Sequence, residues 1–128
     1  MYHINIKRIY DPFGETDGYR ILVDRLWPRG ISKEKAHVDE WAKSIAPSTE
    51  LRKEFHHDLI LMDEFKKKYI HELDINEDTV EFLDKLRKKL QAVNVTLIYT
   101  AKNQTENHAL ILKEWLEKHL ITSFTNLD

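Results

Sequence analysis

"YRILVDRLWPRGIS", residues 19–32, carries the reading that decides the architecture. Its first half sets Ile21, Leu22 and Val23 in succession, so an extended chain here is apolar on both faces, the pattern of a strand covered on two sides. Its second half changes character within a few positions. Asp24, Arg25, Trp27 and Arg29 crowd the strand exit, Pro28 and Gly30 shape a tight backbone, and Ser32 is a natural N-cap. The stretch predicts a central strand over 19–27 and a helix opened by Ser32 that runs through Trp41 to about Ile45.

On the N-terminal side, "INIKRIY" (4–10) alternates Ile4, Ile6, Arg8 and Tyr10 on one face and reads as another strand, followed by a loop "DPFGETDG" (11–18). Far downstream, "VNVTLIYTA" (93–101) has the same character as the central stretch and predicts a third strand. Helices fill the space between. "APST" (46–49) interrupts one and Ser48 opens the next. Leu61, Phe65, Tyr69 and Leu73 recur about every four residues, as do Val80, Leu83, Leu86 and Leu90, with Asp74 and Glu77 placed as a capping box. The last helix, 107–120, carries Ala109, Leu112, Leu116 and Leu120 on one stripe. Strands alternating with helices predict a single compact α/β domain over 1–128, a mainly three-stranded sheet flanked by about five helices. The loop at 11–18 is short for a helical crossover, so the first two strands either form a hairpin or sit apart in the sheet.

Composition narrows the function classes. The 128 residues are 41% hydrophobic and 33% charged, enough for one core and too few for two ordinary domains. Twenty basic and 22 acidic residues leave a net charge of -2, so no global field draws the chain to nucleic acid or an anionic membrane. Without cysteine there is no disulfide, thiolate nucleophile or thiolate metal site. No apolar run approaches a membrane span or a signal peptide core, and a cytoplasmic protein is expected. His56 and His57 are adjacent and point apart on a helix, while His37, His71 and His119 have no ligand spacing, so no metal is expected. Nucleotide and metalloprotease fingerprints of the G-x-G-x-x-G, G-x-x-x-x-G-K-[ST] and H-E-x-x-H types are absent, and no cofactor is expected.

The chemistry concentrates at strand exits. In open α/β sheets ligands gather beyond the carboxyl ends of strands, where loops lead into helix N-termini. "DRLWPRGIS" occupies one such place, with Arg25 and Arg29 as fork-shaped donors, Trp27 as an enclosing ring, and Gly30 and Ser32 shaping the turn into the helix. "YTAKNQTENH" (99–108) occupies a second, with Asn107 and His108 where the last helix begins. Two such loops at one sheet edge would make one cleft. The competing reading is that Asp24 and its arginines form structural ion pairs and that Trp27 closes a core.

"DGYR" (17–20), "LVDRLWPRG" (22–30), "DEW" (39–41), "APSTELRKEFHHD" (46–58) and "NHALILKEWL" (107–116) together resemble the YeaO-like proteins, a bacterial domain-of-unknown-function family. The resemblance covers nearly the whole chain. It implies a compact cytoplasmic α/β protein of bacterial type and no particular activity. It also singles out the polar and aromatic residues within those motifs, among them Asp39, Ser48, Arg52, Phe55, His56 and Asp58.

Two functions fit these residues. In the first, a cleft at the strand ends binds an anionic small molecule, phosphorylated or nucleotide-like, through Arg25, Arg29 and Arg52, with Asp24 as orienting group or base and His108 as proton carrier for acid-base hydrolytic chemistry. Trp27, Gly30, Ser32, Asp39, Ser48 and Asn107 complete that binding set. In the second, the same cleft is a non-catalytic interaction module for a nucleic-acid backbone or a polypeptide carboxylate; the net charge disfavours nucleic acid. The oligomeric state is open at this level.

Overall fold

The computed structural model describes residues 2–126, with side chains described as far as Leu120. Strands β1 (Ile4–Arg8), β2 (Tyr19–Leu22), β3 (Glu40–Trp41) and β4 (Val95–Tyr99) form one sheet in the order β1-β4-β2-β3. All neighbours are parallel: β4 pairs β1 from Ile4↔Val95 to Arg8↔Tyr99 and pairs β2 from Tyr19↔Val95 to Leu22↔Ile98. The helices are α1 (Lys33–Ala36), α2 (Thr49–His56), α3 (Met62–Ile75), α4 (Asp78–Lys89) and α5 (His108–Asn126), with 3-10 turns at Glu15–Asp17 and Lys43–Ile45. None of the described helices is long and apolar enough to cross a membrane.

The sheet therefore has four strands where three are expected. The fourth, β3, comes out of the segment read as helix, and its cause is tertiary. The helix opened by Ser32 stops after one turn because His37 turns left-handed at φ 52. The carbonyls of Ala36 and His37 that this releases accept Nη2 and Nε of Arg20, at 2.9 and 3.0 Å. The chain then lies along β2, with Asp39 N donating to Arg20 O and Ala42 N to Leu22 O. β1 and β2 sit apart with β4 between them, and residues 9–18 return the chain along β1, held by Lys7 Nζ to Pro12 O (3.1 Å) and Asp17 Oδ1 (2.8 Å).

Each face of the sheet has its own core. On one face Ile4, Ile21, Val23, Val95, Leu97 and Tyr99 meet residues of α2 to α5. Ala109, Leu112, Leu116 and Leu120 of α5 are all buried there, as their spacing predicts. The other face is covered by no long helix. Ile9, Leu22, Ala36 and Ile98 are covered by Trp27, Ile31, Val38 and Trp41 from the 27–41 segment. On α4 the buried stripe is Thr79, Phe82 and Leu86; Val80, which its spacing puts on the stripe, is 70% exposed, one step off the buried one. Asp74 belongs to α3 and Glu77 makes no side-chain cap; Asn76 Oδ1 accepts from Asp78 N at 2.9 Å instead.

Trp115 is 7% exposed, lies in the larger core, and donates Nε1 to Asp74 Oδ1 at 3.0 Å. Trp115→Ala should lower the unfolding free energy by about 3 kcal/mol through the cavity and the lost hydrogen bond, measured by urea denaturation. An unchanged midpoint would show that its ring contributes no packing.

Candidate functional site

Beyond the carboxyl ends of β2 and β4 the chain leaves a cleft of about 640 Å³, within the usual range of roughly 300–1,000 Å³ for small-molecule sites. The strand-end loops build it. Val23 N donates to Ile98 O at 2.9 Å, extending the ladder one residue past β2, and Asp24 then diverges into the gap between β2 and β4. Both predicted loops line this cleft: the first through Asp24, Arg25, Trp27 and Arg29, the second through Glu106, Asn107 and His108.

The floor is a buried acid and its partners. Asp24 Oδ2 accepts from the Thr100 hydroxyl, the Asp24 carbonyl accepts from Trp41 Nε1 at 2.7 Å, and Oδ1 lies 2.9 Å from His108 Nε2. That nitrogen also lies 3.1 Å from the Val23 carbonyl. A carbonyl and a carboxylate both only accept, so the nitrogen between them carries a proton. Asp24 Oδ1 has the imidazole as an electrostatic neighbour without a hydrogen bond of its own. Desolvating a carboxylate there is tolerable because a donor hydroxyl and an imidazole face it.

The arginines divide into two kinds. Arg25 donates Nε to Pro47 O at 2.8 Å and Nη2 to Ala46 O at 2.9 Å, tying the approach to α2 onto the β2 exit. Arg29 and Arg52 are exposed and line the same cleft, and their side chains make no hydrogen bond or ion pair among the described residues. Trp27 does two things. It borders the cleft, and it packs on the smaller core with Nε1 donating to Ile31 O (2.7 Å) and its ring edge-on to Trp41 at 5.5 Å. Asn107 caps α5, accepting from Leu110 N at 2.9 Å and donating to Asn103 O at 3.0 Å.

Four of the expected residues lie elsewhere. Ser32 caps α1 by accepting from Lys35 N, Gly30 takes φ 79 in an open turn, and neither lines the cleft. Asp39 lies before β3, at the other end of the sheet, where its Oδ2 accepts from Arg20 N at 2.9 Å. Ser48 caps α2 and is clamped by Glu72, its N and Oγ donating at 2.9 and 2.5 Å. In all four a short polar or flexible residue serves the backbone, a use that sequence alone does not separate from binding.

The structure adds residues that the strand-exit argument does not reach. Tyr10 follows β1, and Arg8 lies 5.3 Å from its ring centroid while donating to Ala101 O and Thr100 O. Phe55 of α2 tilts against Phe65 of α3 at 4.6 Å, and both line the cleft, as does Asp58. Asp58 has φ 59; with Asp58 N donating to Phe55 O and Leu59 N to Glu54 O, it fills the left-handed slot after α2 that glycine usually takes. The "EFHHD" motif holds the sequence signal for Phe55 and Asp58. Among the described residues no cluster is placed to hold a metal ion.

A family described as the inactive DUF488-N3 subclade matches residues 3–126. The chain is 51% identical over 114 residues to "Uncharacterized protein YeaO" of Escherichia coli (strain K12), covering 89% of this chain and 96% of that protein. It is 36% identical over 113 residues to "Uncharacterized protein Rv3073c" of Mycobacterium tuberculosis (strain ATCC 25618 / H37Rv), covering 88% and 92%. No solved structure matches the chain.

Proposed function

The chain belongs to the YeaO-like domain-of-unknown-function family, in the subclade described as inactive DUF488-N3, and from that premise we propose that its cleft binds an anionic small molecule without converting it. The observation that carries this reading is the pair Arg29 and Arg52, two cations without side-chain partners among the described residues on the walls of one cleft. Guanidinium groups left free in a concave site match the fork geometry of phosphate and carboxylate. Against catalysis stands the state of the acid-base candidates. His108 Nε2 faces two acceptors, the Val23 carbonyl and Asp24 Oδ1, so that nitrogen holds a proton and does not act as a base, and Asp24 is engaged by Thr100. The family description, inactive, agrees with the absence of turnover in this reading. A nucleic-acid backbone fits less well, because Asp24, Asp58 and Glu106 share the lining with Arg25, Arg29 and Arg52.

Titrating inorganic phosphate into the protein should shift the NMR resonances of Arg29, Arg52 and Asn107. Arg29→Ala and Arg52→Ala should each weaken binding about tenfold, the scale of a lost charge-assisted hydrogen bond. Shifts confined to other surfaces, or a double variant with wild-type affinity, would reject the cleft. Turnover of a phosphomonoester that Asp24→Asn abolishes would reject the non-catalytic reading.

A further inference from the structure

Accepting the anion-binding reading, we infer that the ligand class is a nucleoside monophosphate, with its phosphate on Arg29 and Arg52 and its base against the aromatic wall. Three features of the lining narrow the class. The first is charge: three arginines and three carboxylates line the cleft, and one arginine, Arg25, is already held by the Ala46 and Pro47 carbonyls. A ligand carrying three or four negative charges would face Asp24, Asp58 and Glu106 with too few free cations, whereas a single phosphate meets two.

The second feature is aromatic surface. Tyr10 is 54% exposed at the cleft, with Arg8 near its ring and fixed to the β4 exit, and Phe55 and Trp27 line the same space. Such rings accept a planar group by stacking, and a sugar phosphate alone has none to offer. The third is the pair of exposed carboxylates, Asp58 and Glu106, whose side chains make no hydrogen bond or ion pair among the described residues. They accept only, so they suit the N–H donors of a nucleobase and disfavour an aromatic acid. Asp58 holds its place despite a left-handed backbone in which glycine would be relaxed.

Calorimetric titration of the whole protein with AMP, GMP, CMP, ribose 5-phosphate, inorganic phosphate and ATP tests the inference. At least one nucleoside monophosphate should bind about tenfold or more tighter than ribose 5-phosphate, the scale of one stacked base, and ATP should bind no tighter than AMP. Tyr10→Ala should erase that advantage and leave ribose 5-phosphate affinity unchanged, while Asp58→Gly should reduce the advantage without weakening ribose 5-phosphate, which loses a repelling carboxylate; thermal melts confirm that both variants fold. If ribose 5-phosphate and the monophosphates bind equally, the base assignment falls while the anion site stands. If ATP binds tightest, the monophosphate class is wrong. If none of the probes binds, the anion-binding reading falls with it.

Discussion

Arg20→Met should destabilise the protein by about 3–5 kcal/mol, the loss expected when one partner of a buried ion pair is removed. Arg20 is 1% exposed. Its guanidinium donates to Asp17 Oδ2 at 2.5 Å and to the carbonyls of Ala36 and His37, and Phe13 stacks on His37 beside it. Methionine would fill much of the volume and satisfy none of these acceptors, leaving the end of α1 and the start of β3 unsupported. Urea denaturation measures the loss; a decrease below about 1 kcal/mol would mean that water replaces the guanidinium freely. The same network has a pH signature. Burial alone would raise Asp17, but hydrogen bonds from Lys7, the Gly14 N–H and Arg20 outweigh it and hold the carboxyl below its ordinary value of 3.8. A depressed folded value means that the unfolded chain binds the proton first. The contribution of Asp17 is therefore complete above pH 3.8 and is lost as pH falls through the lower folded value. In Arg20→Met the folded value moves back toward 3.8, so that acid-side loss should be smaller and should be complete at a higher pH.

Gly18→Ala should cost about 4 kcal/mol, combining backbone strain of roughly 1–3 kcal/mol with overpacking of similar size. Gly18 has φ 68 and ψ -130, a region closed to L side chains. A Cβ built there meets the backbone oxygen of Asn94 at 2.0 Å, and Asn94 cannot retreat, because its carbonyl accepts from Tyr19 N at 2.8 Å and its side chain bridges His3 N and Thr16 O. The contact joins the turn into β2 to the entry of β4, so relief would shift the register that aligns both strand ends at the cleft. A thermal melt within a degree or two of wild type would show that this turn yields easily.

Much of the scaffold was legible beforehand for a local reason. Tyr19–Leu22 and Val95–Tyr99 are dense in apolar and β-branched residues, and both became interior strands. The stripe of α5 and the cap at Ser48 are likewise patterns of neighbouring residues. The segment after Ser32 was not legible. Its composition suits a helix, but His37 turns left-handed after one turn, Arg20 of β2 takes the carbonyls of Ala36 and His37, and Glu40–Trp41 joins the sheet edge. Trp27 similarly combines two uses, a cleft wall and a lid on the smaller core, and the second depends on Trp41 arriving from that edge.

What the sequence by itself determined is where polar chemistry meets the ends of apolar strands: Asp24 through Arg29 after one, Asn107 and His108 after another. Local hydrophobic density places a strand whatever its partners are. The tertiary structure alone decided the strand order and the division of labour among the arginines. A two-residue strand pairs through backbone groups that every residue carries, so no side-chain pattern announces it. One guanidinium likewise resembles another in sequence. Arg25 is structural because the chain brings the Ala46 and Pro47 carbonyls within 3 Å, whereas no acceptor among the described residues meets the guanidiniums of Arg29 and Arg52.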